Sequence, residues 1–198
     1  MATMQAAARQ PAHPWILQWQ RAEAAAGSAW LAVPSSDGAR GFRRQGWLGF
    51  REQVAPWALA QGLDPAALRV VSALSLPGPL AALPHEPQLL AVRAAGTRQL
   101  ALTLRMPFEL ALFQGHFPTV PIVPGAVLTG WAAHYAARHA GWPHDAVATQ
   151  SVKFRCIVQP GHDYLLELGW DAAQLRLDFC YRSGTVMHAM GSLTAPAA

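Results

Sequence analysis

The side chains best suited to chemistry lie in one stretch, Phe113-Gln-Gly-His-Phe-Pro-Thr-Val-Pro-Ile-Val-Pro-Gly125. His116 offers an imidazole that titrates near neutral pH and can take or give a proton. A lone histidine more often serves structure, so the weight of His116 comes from its neighbours. Pro118, Pro121 and Pro124 read as rigid loop geometry. Pro124-Gly125 opens a helical pattern that runs to about Ala140, is capped by Gly141 and is stopped by Pro143. That helix holds no Asp or Glu, and the nearest carboxylates are Glu109 and Asp145. Neither has the spacing to join the helix, although folding of the chain could bring Glu109 close. His134 stands one turn beyond Gly130 on the same face, either as a second titratable group or as a core or interface histidine. Cys156 and Cys180 show neither metal spacing nor a disulfide framework. Both sit in apolar, strand-like runs and are expected as buried, reduced thiols. No metal site is expected.

These residues need elements to hold them. The helix of Gly125 to Ala140 is apolar nearly all round, with Val127, Leu128, Trp131, Ala132, Ala133, Tyr135, Ala136 and Ala137. A helix without a broad polar face must be wrapped on most sides. Strands are available to wrap it. Leu90, Val92 and Ala94 alternate, and so do Leu100, Leu102, Leu104 and Met106, with Gly96-Thr97-Arg98 as a hairpin turn between them. Pro107 to Gln114 is a short helix or irregular stretch. Beyond the helix, Thr149–Val158, Tyr164–Trp170, Leu175–Tyr181 and Val186–Thr194 read as strands, with turns at Pro160-Gly161, Asp171 to Gln174 and Ser183-Gly184. Periodicity alone supports an α+β domain with one buried helix.

Residues 1–85 read differently. Pro11 to Trp19 starts a helical pattern that ends at Gly27, Ala29–Val33 is a short strand, and Ser35 to Gly38 a turn. Arg43–Leu59 is helical in period, with Trp47, Leu48, Phe50, Val54 and Trp57, and Pro56 interrupts it. Leu68–Leu76 is a β-type run, and Ala82–Pro87 a linker.

The chain of 198 residues suits one domain, or a small domain plus an appendage. Hydrophobic residues make up 52% and charged residues 13%, which provides for a core and leaves apolar surface for an oligomer interface. The formal charge is +4, and Lys153 is the single lysine beside scattered arginines. Without interleaved aromatics this pattern argues against nucleic acid and equally suits an acidic protein partner. Arg40, Arg43, Arg44 and Arg51 are candidates for docking an acidic protein or for a solvated face. The N-terminus lacks an apolar signal region, and no run approaches the ~18 apolar residues of a membrane span. A cytoplasmic protein is expected.

The Gly115-His-Phe-Pro-Thr-Val-Pro-Ile-Val-Pro-Gly125 run resembles the G-H-F-P-x-x-P-x-x-P-G signature of the β-hydroxyacyl-acyl-carrier-protein dehydratases. Val152-Lys-Phe-Arg-Cys-Ile-Val-Gln-Pro-Gly161 resembles the K-F-x-x-x-V-x-P-G strand and turn of the same family. Both motifs stand in the family's order, with the buried helix between them, and the resemblance spans residues 89–198. It implies a hotdog fold, an antiparallel sheet wrapped around one buried helix, here with a small N-terminal α/β appendage. Trp131 is similar to a position in the dehydratases of aryl-polyene and related pigment clusters.

The resemblance also implies roles. Elimination of water needs one group to take a carbon-bound proton and another to protonate the departing oxygen. By the resemblance His116 acts as base toward the α-proton or holds the hydroxyl, and the backbone N–H of Gly125 polarises the thioester carbonyl, helped by the helix dipole. Phe117, Pro124 and His134 would line the substrate site. The family's helix acid stands fourteen residues after the histidine, and here that position is Gly130. The fold therefore follows from the resemblance more firmly than the activity does. The implied reading is a 3-hydroxyacyl-acyl-carrier-protein dehydratase-like subunit, a hydro-lyase of fatty-acid or aryl-polyene biosynthesis. Its alternative is a non-catalytic hotdog protein that binds and stabilises a second dehydratase or a carrier. A hotdog thioesterase is disfavoured by the same missing acid. The implied partners are an acyl-carrier protein and a second hotdog chain, in a homodimer or heterodimer. No cofactor is implied beyond the phosphopantetheine arm that comes with the substrate. Ala29–Leu83 has a weaker resemblance to the tail of adenylate-forming acyl synthetases, without the lysine of that family's final loop.

Overall fold

The computed structural model describes residues 13–24, 27–72, 74, 83–142 and 148–195. Contacts divide the chain into two compact units, one of Met1–His85 with Phe108–Pro121, the other of Glu86–Pro107 with Ile122–Ala198. Phe108–Pro121, the stretch that contains His116, groups with the N-terminal residues in this division.

The first unit is built on strands β1 (Ile16–Ala24), β2 (Gly27–Pro34) and β3 (Leu68–Val70) and on helix α1 (Ser36–Ala60). β1 and β2 form an antiparallel hairpin, with Ala24 opposite Gly27, and β3 joins β2 in parallel. Helix was expected where β1 begins. Trp15, Leu17 and Trp19 recur every second residue, which is the strand period, and β1 pairs with β2 accordingly. The expected turn at Ser35 to Gly38 is the start of α1, whose N-cap Ser35 side chain accepts from the Gly38 N–H. Pro56 does not interrupt this helix. The break falls at Gly46, with φ 64° and ψ −162°. The core gathers Ile16, Trp30, Phe42, Phe50, Val54 and Phe108. Of the expected strand Leu68–Leu76, β3 covers Leu68–Val70; Ala73 and residues 75–76 lie outside the described residues, as does part of the linker.

The second unit contains β4 (Gln88–Gly96), β5 (Gln99–Arg105), helix α2 (Gly125–Ala140), β6 (Ala148–Phe154), β7 (Asp163–Asp171), β8 (Arg176–Ser183) and β9 (Val186–Thr194). The six strands form an antiparallel sheet in the order β4-β5-β7-β8-β9-β6. Strict alternation puts Tyr164, Leu166 and Leu168 of β7, and Leu177, Phe179 and Tyr181 of β8, on the buried face. α2 packs on β7, β8 and β9 with Leu128, Trp131, Ala132, Tyr135 and Ala136 buried. One helix in the grip of an antiparallel sheet is the hotdog fold that the resemblance implies. Two phenols fasten it: Tyr181 Oη donates to the Leu128 carbonyl at 2.9 Å and Tyr135 Oη to the Pro87 carbonyl at 3.4 Å. α2 ends where Gly141 turns into the left-handed region at φ 66°, a conformation that costs glycine little.

The expectation of two buried thiols is corrected for Cys156. It is exposed, because β6 lies at the sheet edge and ends at Phe154, so the apolar residues that follow are not in a core strand. Cys180 is half-buried on the outer face of β8, and burial raises its thiol pKa. Among the described residues no helix is long and apolar enough to cross a membrane.

Candidate functional site

The His116 segment belongs to the first unit. Phe108, Leu110 and Phe113 are buried anchors, and a short 3₁₀ turn covers Ala111–Gln114. The Leu112 carbonyl accepts from the N–H groups of Gly115 (3.3 Å) and His116 (3.0 Å), which fixes the backbone leading to the imidazole. Phe117 and Val120 then exchange both backbone hydrogen bonds, at 3.0 and 3.1 Å, and close a tight loop over the intervening Pro118 and Thr119. The peptide between His116 and Phe117 is cis, and the two rings lie 4.1 Å apart with planes 30° from parallel. His116 is half-buried. Its Nδ1 is enclosed and has no hydrogen-bond partner among the described residues, so that nitrogen is not committed to holding the fold. Phe117 is 49% exposed.

In the second unit the two motifs meet at the start of α2. The Val123 N–H donates to the Val158 carbonyl at 2.8 Å, joining the end of the first motif to the turn of the second. The Phe154 ring lies against Gly125, where a Cβ would come within 2.4 Å of Cζ. The N-cap of α2 is Pro124, which has no hydroxyl or carboxylate to offer, and no side chain caps the helix. Its carbonyl accepts from Val127 (3.0 Å) and Leu128 (3.1 Å). The amides of Gly125 and Ala126 precede these and have no carbonyl one turn earlier in the helix to bond to. An uncapped helix N-terminus of this kind favours a carbonyl oxygen that gathers negative charge.

The second motif's turn is held by residues that the sequence reading passed over. Arg155 and Cys156 N–H groups donate to the His188 carbonyl at 2.8 and 3.2 Å. His188 itself is 7% exposed, with Nδ1 2.9 Å from the Ile157 carbonyl and Nε2 2.7 Å from Ser183 Oγ. A carbonyl can only accept, so Nδ1 carries a hydrogen and donates it to Ile157. Tyr164 Oη accepts from the Gln159 N–H at 2.9 Å, and its ring meets His188 edge-on at 4.9 Å. The signal that could have found His188 was a polar residue within the apolar run Val186–Met190 of β9.

Gly130 is exposed, and beyond its chain neighbours and its own helix backbone no heavy atom of the described residues lies within 4 Å of where its Cβ would be. His134 does not stand free beside it. Its Nε2 lies 3.4 Å from Glu86 Oε1, and its ring meets Tyr135 at 5.4 Å. Burial, with help from Glu86, pushes the Tyr135 phenol up to about 12, which leaves it a poor proton donor at neutral pH. Glu109 is 9% exposed, and its Oε2 accepts from the Ser72 N–H (3.0 Å) and Ser72 Oγ (2.9 Å). Those bonds engage its carboxylate within the first unit. Asp145 lies outside the described residues.

Residues 92–192 match the ApeI-like dehydratases, described as ApeI dehydratase. Among solved structures the chain is similar to a member of the dehydratase heterocomplex ApeI:P from Xenorhabdus doucetiae. The two are 27% identical with a TM-score of 0.48, over 55% of this chain and 96% of that one. It is also similar to an uncharacterised protein from Erwinia carotovora, at 27% identity and a TM-score of 0.45, over 55% of this chain and 94% of that one. An (R)-hydratase from A. caviae aligns at 14% identity and a TM-score of 0.33, over 52% of this chain and 100% of that one. No curated protein matches the chain.

Proposed function

The chain belongs to the ApeI-like dehydratase family, and from that premise we propose that it is a dehydratase-type subunit acting on 3-hydroxyacyl groups tethered to an acyl-carrier protein. The observation that carries this reading is the uncapped start of α2, where Val123 is bonded to Val158 and Phe154 covers Gly125. In the proposed reaction the thioester carbonyl accepts a hydrogen bond from the Gly125 N–H. That bond stabilises the charge that develops when the α-proton leaves. His116 takes that proton, in keeping with its unengaged Nδ1. The electrons of the broken C–H bond form the new double bond. The β C–O bond breaks, and the departing oxygen leaves as water once it is protonated. Phe117 and Pro124 line the path of the acyl chain, and the phosphopantetheine arm arrives with the substrate.

The final proton needs a donor, and α2 carries no carboxylate. Tyr135 is too basic, Glu109 is bonded to Ser72, and His134 is beside Glu86. We assign the acid to a second hotdog chain, so that His116 works in a site completed across an interface. The β6 edge suits such pairing, since Phe154 there is 53% exposed and Ile157, just beyond it, 52% exposed. The open position at Gly130 also favours a second reading, a non-catalytic chain that stabilises an active partner.

Co-expression with acid-bearing hotdog proteins encoded beside it, followed by dehydration assays, separates the two. A complex whose rate falls ~10²-fold or more on His116→Ala supports the shared site. A complex indifferent to His116→Ala leaves the stabilising role, and failure to form any complex removes both.

A further inference from the structure

Within the first unit, Phe108–Pro121 is fastened to the N-terminal residues on both sides of His116. On the upstream side, Phe108 meets Phe42 edge-on at 5.4 Å, and its N–H donates to Ser72 Oγ at 3.2 Å. Glu109 accepts twice from Ser72, and the Ala111 N–H donates to the Pro84 carbonyl at 2.9 Å. On the downstream side, the tether is the break in α1. The helix restarts after Gly46, where its first amides lack a carbonyl one turn earlier. The Leu48 N–H turns to the Pro118 carbonyl at 3.4 Å, so the His116 loop supplies an acceptor to the restarted helix. Gly46 makes this approach possible. A Cβ there would lie 2.0 Å from Pro118 O, 2.6 Å from Pro118 C and 2.7 Å from Thr119 C. Those atoms are backbone, so they cannot swing aside as a side-chain tip would. The φ of 64° is itself one that a residue with a Cβ resists.

We infer that the N-terminal residues are the platform that positions His116, with Gly46 as a positioning residue that acts through its seat against Pro118. The inference rests on the proposed role of His116 for its catalytic consequence, and on the contacts alone for its structural one. A merely appended segment would need neither a broken helix nor tethers on both sides of the histidine. A displacement of the order of 1 Å at a reacting group costs ~10²-fold in rate while substrate contacts elsewhere persist.

The test is Gly46→Ala in the full chain, assayed in the active complex and by amide hydrogen exchange. The expected result is a kcat lower by roughly tenfold or more with KM within about twofold. The amides of His116, Phe117 and Val120 should exchange at least about tenfold faster, while those of β7 and β8 stay unchanged. Loop amides that exchange as in the parent overturn the inference. If the parent is inactive with every partner, the catalytic reading has failed, and the exchange data alone decide the positioning. Should Gly46→Ala not fold, Ser72→Ala takes its place, removing the hydroxyl shared by Phe108 and Glu109. It should speed exchange in the same loop by about threefold, and unchanged exchange there overturns the inference equally.

Discussion

The ring of Phe154 occupies the space in which a side chain at Gly125 would begin, with Cζ, Cε2 and Cε1 at 2.4, 2.6 and 2.8 Å from a Cβ built there. The two residues come from different motifs, and their contact explains why the second motif carries an aromatic residue at a sheet edge. Gly125→Ala must displace this ring. Because Phe154 is 53% exposed, the ring can move outward, so the stability cost should be about 1 kcal/mol, at the low end for overpacking. The rate should suffer more, since the new methyl and the displaced ring both crowd the Gly125 amide. Dehydration by the active complex should drop by about tenfold, and Phe154→Ala in the same chain should restore part of it, as coupled neighbours do. Additive losses in the double variant would refute the contact as the cause.

Much of this arrangement was legible in the sequence, for identifiable reasons. α2 could be bounded to the residue because an all-round apolar helix, a proline entry and a glycine exit are local signals. The strands of the second unit show period 2 because one face is buried. β1 was legible in its spacing, since Trp15, Leu17 and Trp19 recur every second residue as a strand requires, and the helical expectation there went against that period. The grouping of Phe108–Pro121 with the N-terminal residues had no local signal at all. It depends on Ser72, Phe42 and Gly46, each far away in the chain and each ordinary in its own neighbourhood. Cys156 failed for a related reason: an apolar run says nothing about whether its strand ends a sheet.

Glu109 illustrates how a carboxylate near a reactive loop can be structural. Both of its hydrogen bonds come from Ser72, and it is 9% exposed. Glu109→Ala removes the acceptor of two hydrogen bonds from the half-buried Ser72, so the unfolding free energy should fall by about 2 kcal/mol, at roughly 1 kcal/mol for each bond. Urea denaturation with an unchanged m-value would measure it. A loss below about 0.5 kcal/mol would mean that water replaces the carboxylate and that Ser72 does not anchor the segment.

The phenols that fasten α2 predict an alkaline limit to stability. Burial is the main cause that holds Tyr135 at about 12 and Tyr181 well above its ordinary value. A raised folded value favours the neutral phenol. This contribution is therefore complete below the ordinary tyrosine value of about 10 and is lost as pH rises through the folded values. Phenolate absorbance should stay incomplete above pH ~10 and rise together with the loss of near-ultraviolet dichroism. Tyr181→Phe, which deletes the bond to the Leu128 carbonyl, should cost about 1 kcal/mol at neutral pH and make the alkaline transition less steep. Full titration of every tyrosine with the fold intact would contradict the burial of these two groups.

Gly130 allows the missing acid to be tested directly. A Cβ there meets nothing within 4 Å among the described residues beyond its chain neighbours and its own helix backbone, and Gly130 is exposed, so Gly130→Glu starts into open space. Glycine inside a helix is also about 0.5–1 kcal/mol less favourable than a good helix former, so the variant should melt at a higher temperature than the parent. A stability gain shows that the position is sterically open, which separates folding from chemistry. Activity then reports on the chemistry. If the empty position is the main defect of the isolated chain, the variant should dehydrate a 3-hydroxyacyl-carrier substrate without a partner, at least about tenfold above the parent, equivalent to ~1.4 kcal/mol of barrier. In the complex with an acid-bearing partner the same change should add little, because the donor is already in place. A variant that is more stable but no more active alone, in a chain whose complex depends on His116, would show that the partner supplies more than a carboxylate. The orientation of the donor, not its absence from α2, would then be what the second subunit provides.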